Sequence, residues 1–87
     1  MNLVSTERAT IELAREFLTS KIDGVPIWIR WYRVDRNGKG GGWEPSSYYY
    51  NCELVGVTEK RLRVKGPAGG VEIANPSRCY FATKVHA

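Results

Sequence analysis

Apolar residues recur every three to four places between residues 10 and 21, and mostly every second place from residue 25 onwards. The first spacing is that of a helix with one buried stripe, the second that of strands. Thr10, Ile11, Leu13, Ala14, Phe17, Leu18 and Lys21 share one side of the predicted helix, opposite Arg8, Glu12, Arg15, Glu16 and Thr19. Ser5 or Thr6 followed by Glu7 supplies a capping hydroxyl and a carboxylate for the positive helix end. Asp23 and Gly24, with Pro26 just beyond, close the segment. Residues 25–34 (VPIWIRWYRV) set Ile27, Ile29 and Trp31 against Trp28, Arg30, Tyr32 and Val34. In residues 48–57 (YYYNCELVGV), Tyr48, Tyr50, Cys52 and Leu54 share a face opposite Tyr49, Asn51, Glu53 and Val55. Residues 35–47 between these strands are glycine-rich and irregular, and read as a loop.

A hairpin follows. Pairing Val64 with Val71 and Leu62 with Ile73 turns all four inward, closes the turn over residues 66–69, and sets Arg63 opposite Glu72. Asn75, Pro76 and Ser77 form a short turn before a last strand over residues 78–85. The expectation is one α+β domain covering residues 1–87: a helix over about residues 5–23, then a five-stranded, strongly bent antiparallel small barrel over about residues 25–85.

Size and charge narrow the picture. At 87 residues there is room for one core, and 43% apolar with 25% charged residues is an ordinary globular balance. Residues 1–24 carry Arg8, Arg15 and Lys21 against Glu7, Glu12, Glu16 and Asp23, a net of −1, which leaves +5 on the β region. That surplus favours an anionic partner there. No stretch approaches the ~20 apolar residues of a membrane span, and the start lacks the pattern of a secretory signal. Cys52 and Cys79 stand in apolar surroundings without a CxxC pattern and read as buried free thiols, so a reducing cytoplasm is the expected compartment.

The order of elements resembles the Sm-like small barrel, and also Tudor-type barrels. The Sm-like comparison places residues 17–29 at the helix end and first strand, residues 54–57 in the second and residues 62–65 in the third. That family's first two strands usually meet in a tight turn, where this chain has residues 35–47. Its RNA pocket has no counterpart in Thr58 and Glu59 or in residues 75–78, so the pocket is not carried over. A Tudor-type methyl-lysine cage could draw on Trp43, Tyr48 and Tyr49, yet Leu62 and Val64 stand where further aromatics are expected. In small barrels of Sm-like order, association through edge strands is common, which points to a dimer or ring as a homo-oligomer.

Candidate chemistry is sparse. The only histidine is His86, next to last, and the carboxylates Asp35, Glu44, Glu53, Glu59 and Glu72 show no paired spacing. Neither a catalytic site, a metal site nor a cofactor is expected. Glycines 38 and 40–42 sit between strands and not ahead of a helix, unlike a phosphate-binding loop. The densest cations are Lys60, Arg61, Arg63 and Lys65. They fit the solvent face of a strand whose inner face is Leu62 and Val64. They also fit a basic edge that tracks phosphates beside stacking rings supplied by Tyr49, Tyr32 or Trp43, joined by Arg36 and Lys39 on the loop. The expected function is non-enzymatic binding of RNA or single-stranded DNA through Arg36, Lys39, Trp43, Tyr49, Lys60, Arg61 and Lys65. The alternative is a protein-interaction module or inhibitor, such as an accessory protein of a mobile element.

Overall fold

In a computed structural model of the protein, residues 2–35 and 46–85 are described. They form one helix and one antiparallel sheet, which agrees with the α+β expectation. The strands are β1 (Asn2–Arg8), β2 (Trp28–Asp35), β3 (Ser46–Val57), β4 (Leu62–Lys65), β5 (Val71–Ala74) and β6 (Cys79–Val85), and the helix is α1 (Ile11–Thr19). The sheet has six strands in the order β1-β6-β2-β3-β4-β5 and is open, with β1 and β5 at its edges.

The additional strand is the segment expected to begin the helix. Asn2 pairs with Val85 and Arg8 with Tyr80, so β6 takes up the backbone donors and acceptors on one side of residues 2–8. The amide of Ala9 continues the run by donating to the Cys79 carbonyl at 2.9 Å. Cross-strand pairing overrides the capping pattern at Ser5 and Thr6 because strand preference depends on what neighbours are offered. Thr10 caps α1 instead, its hydroxyl accepting from the Leu13 amide at 3.1 Å. The helix stops at Thr19, with the Ser20 amide donating to the Glu16 carbonyl. Ala14 is fully buried, and Ile11, Leu13, Phe17 and Leu18 pack around the core. Phe17 meets Phe81 edge to face at 4.6 Å between ring centroids and is only partly buried.

The inner face of the sheet holds Ile29, Cys52, Leu54, Leu62, Val64, Ala74, Cys79 and Phe81. Val55 is an extra residue in β3 where the pairing with β4 slips between Leu54 and Gly56, a bulge that bends the strand. The sheet curls enough for Glu72 of β5 to reach Arg33 of β2 at 3.5 Å, although β3 and β4 lie between them in the sheet.

The β4–β5 register is one residue away from the expected one. Leu62 pairs with Ala74, Arg63 with Ile73, Val64 with Glu72 and Lys65 with Val71. Leu62 and Val64 face inward as expected, but Val71 and Ile73 are exposed and Glu72 ion-pairs with Arg33 instead of Arg63. The turn explains the shift. The Gly69 amide donates to the Gly66 carbonyl at 3.0 Å and the Gly66 amide to the Gly70 carbonyl at 3.2 Å, while Gly69 has φ +89°. This is a hairpin loop with one residue in the left-handed region, and it absorbs one residue more than a four-residue turn. Gly66 itself has no room for a side chain, because a Cβ there would overlap the Tyr50 hydroxyl.

Candidate functional site

The outer face of β1, β6, β2 and β3 is built from alternate residues of four strands. Register places Arg8 beside Tyr80, Tyr80 beside Arg30 and Arg30 beside Asn51, one residue per strand along a single rung. On the neighbouring rung Tyr32 pairs with Tyr49. The period of two that buries Ile29 and Cys52 sends these residues the other way.

Rings and guanidinium groups alternate across this face. The Arg30 guanidinium lies 4.0 Å from the centroid of the Tyr49 ring, and that of Arg8 lies 5.7 Å from the Tyr80 ring. Arg8 also donates to the Tyr80 hydroxyl at 3.4 Å. Tyr49 meets Tyr32 at 5.4 Å and Tyr80 at 6.3 Å, both edge to face. Tyr32 is 37% and Tyr49 43% exposed, which leaves ring surface available to a ligand. Tyr32, Tyr49 and Tyr80 line a recess together with Ser77 and Arg78. Beside it, sharing Tyr32 and Arg78, runs a groove that includes Trp31, Arg33, Arg61 and Asn75.

Charge on this surface is not balanced internally. Among the described residues the only ion pair is Arg33 with Glu72, so Arg8, Arg30, Arg61 and Arg78 have no carboxylate within 4.0 Å. Arg30 donates to the Ser5 hydroxyl at 3.3 Å, but its Nε is buried without a protein partner. The Asn51 Oδ1, on the same rung, is likewise buried and unpartnered. Buried polar atoms without a partner are rare in folded chains.

The structure places the expected site residues unevenly. Tyr49 is at the centre of the outer face. Arg61 lines the adjoining groove, held by the turn in which the Thr58 amide donates to the Arg61 carbonyl at 2.8 Å. Lys60 is exposed on the same turn. Lys65 does not join them. It lies at the other end of β4, opposite Glu53, in a recess with Trp28, Asn51 and Pro67. About four residues of strand rise, roughly 13 Å, separate it from Arg61, so the expected continuous basic surface is divided. Arg36, Lys39 and Trp43 lie outside the described residues.

Arg8, Arg30, Arg78 and Tyr80 were not singled out by sequence. The helical pattern takes in Arg8, and the contact of β6 with both β1 and β2 has no local signature. The signal for Tyr80 was present: it alternates with Cys79 and Phe81, both buried, and so must face out.

Nucleophilic chemistry finds little support. Burial pushes the Cys79 thiol up to about 12. Burial, with smaller contributions from Cys79 and Glu72, does the same to Cys52, whose thiol contacts the Ile29 carbonyl at 3.6 Å. Thiols held protonated in this way are poor nucleophiles. Among the described residues no three His, Cys, Asp or Glu side chains converge, and no helix is long and apolar enough to cross a membrane. No protein-family model matches the chain, and none of the curated proteins or solved structures matches it.

Proposed function

We propose that this protein is a non-enzymatic module that binds single-stranded nucleic acid, RNA or DNA, on the outer face of β1, β6, β2 and β3. The observation that carries the reading is the array of Tyr32, Tyr49 and Tyr80 interleaved with Arg8, Arg30 and Arg78, without a carboxylate partner. Bases of a single strand have free π-faces that stack on exposed rings, while guanidinium groups beside the rings take up phosphates. A duplex keeps its bases stacked on one another and has no use for such rings, which favours the single strand. In this reading β2 to β6 act as a small barrel of the Sm-like or Tudor-type kind, with β1 added to the edge of β6. The groove with Arg61 continues the path of the phosphates, with Lys60 exposed on the turn beside it.

Fluorescence anisotropy with labelled oligouridine and oligothymidine, from low to physiological salt, tests the proposal. Binding with a steep dependence on salt is expected. An absence of binding to either oligonucleotide at low salt would overturn it.

A further inference from the structure

We propose that the free edge of β5 is a docking site for an extended peptide strand, apolar in its middle and acidic at its flanks. This edge adjoins the groove described above, which Ile73 lines together with Arg61, but it is read by backbone pairing and involves a different partner class.

The hairpin turn settles which backbone groups of β5 are free. Gly66 and Gly70 are a hydrogen-bonded pair, and in an antiparallel ladder such pairs alternate with non-bonded ones. Lys65 with Val71 is therefore non-bonded, Val64 with Glu72 bonded, Arg63 with Ile73 non-bonded and Leu62 with Ala74 bonded. The N–H and C=O groups of Val71 and Ile73 consequently point away from β4. Because β5 ends the sheet, no strand among the described residues takes them up. The same two residues expose apolar side chains, 58% for Val71 and 53% for Ile73.

Edge strands are commonly protected by charges, proline or a bulge. The other edge, β1, has such protection: its pairing slips between Ser5 and Glu7, and Glu7 and Arg8 follow. On β5 the one charged residue, Glu72, turns inward to Arg33 and protects nothing. An added strand would gain main-chain hydrogen bonds at Val71 and Ile73 and cover both side chains, as in β-strand addition.

Charge selects the occupant. Arg63 pairs with Ile73 and Arg61 lines a groove with it; both, and Lys60 on the preceding turn, are exposed without a carboxylate within 4.0 Å among the described residues, and only Lys65 has one opposite it, Glu53. Acidic residues flanking the apolar centre of the incoming strand complement these cations. A second copy of the chain fits worse. Antiparallel self-pairing that uses Val71 and Ile73 on both sides sets Glu72 directly against its counterpart, and like charges directly opposite are destabilising.

The test uses the full chain, isotope-labelled, and a capped peptide that alternates valine with threonine between pairs of aspartates. A matched peptide ends in lysines. The aspartate peptide is expected to slow amide exchange at Val71 and Ile73 at least tenfold and to leave Glu72 and Ala74 unchanged. It should bind at least tenfold more tightly than the lysine peptide. Ile73→Pro removes an outward N–H that the fold does not use and should abolish binding. Should that variant fail to fold, Arg61→Glu with Arg63→Glu must reverse the preference between the two peptides. Equal affinity for both peptides, or no protection at Val71 and Ile73, would overturn the proposal. So would protection of both amides without peptide, accompanied by dimers in sedimentation, since a second copy would then be the occupant.

Discussion

Arg30 and Arg33 lie three residues apart on β2 and so on opposite faces of the sheet. Arg33 is engaged on three sides: its guanidinium lies 4.5 Å from the Trp31 ring centroid and 5.2 Å from that of Tyr50, and it ion-pairs with Glu72. Arg30 also stacks on a ring, that of Tyr49, but meets no carboxylate and has one buried nitrogen without a protein partner. Inside the curled sheet the chain settles its own charge. On the outer face the same residue type in similar aromatic company is left cationic, so the difference between the two faces lies in neutralisation and not in composition.

The largest test of this contrast is stability. Ile29 is fully buried on the inner face, and Ile29→Ala should cost roughly 2–5 kcal/mol in urea denaturation. Tyr32→Ala on the outer face loses one edge-to-face contact and should cost about 1 kcal/mol. Equal losses would remove the distinction between a core face and a binding face.

Next in size is an effect on binding alone. Tyr49→Ala should weaken binding of oligouridine or oligothymidine by roughly 1–3 kcal/mol in anisotropy titrations, with little change in salt dependence.

The inner face has a signature in pH. Burial pushes both thiols up to about 12 in the folded protein, so above about pH 9, where an exposed thiol ionises, the unfolded chain releases protons that the folded one retains. Stability should therefore fall as pH rises from 9 towards 12, by about 1.4 kcal/mol per pH unit for each thiol. Denaturation midpoints should show a flatter alkaline slope in Cys79→Ala than in the parent chain.

The smallest and most specific test compares the two arginines. Arg30→Gln should reduce the slope of log affinity against log salt by about 0.7, the share of one phosphate on a single strand. Arg33→Gln should reduce it less, as Glu72 offsets that charge.

Much of the fold follows from local pattern. The alternation in residues 48–57 places Cys52 and Leu54 inside and Tyr49 outside, and the helical stripe from Ile11 to Leu18 packs where its spacing directs. Two features do not follow from it. Residues 2–8 have a capping pattern that suits a helix start, and only the presence of β6 makes them a strand. At the hairpin, a glycine in the left-handed region adds one residue to the turn, and a shift of one place exchanges Val71 and Ile73 for Glu72 and Ala74 on the inner face. The candidate site was legible only in part for the same reason. Tyr49 stands out by alternation within its own strand, but its companions Arg8, Arg30 and Tyr80 come together through pairings distant in sequence.

That distance bears on the order of assembly. Arg8 and Tyr80 are separated by 72 positions and Ser5 from Arg30 by 25, whereas β3, β4 and β5 follow one another through short turns. Closing the longest loop has the largest entropic cost and slows folding most. The β3–β4–β5 meander can therefore form while the chain is still being made, and the tyrosine–arginine face exists only after β6 has entered between β1 and β2. A chain interrupted before residue 79 would retain β5 and the Tyr32–Tyr49 pair but lack Tyr80 and the strand that brings Arg8 beside Arg30.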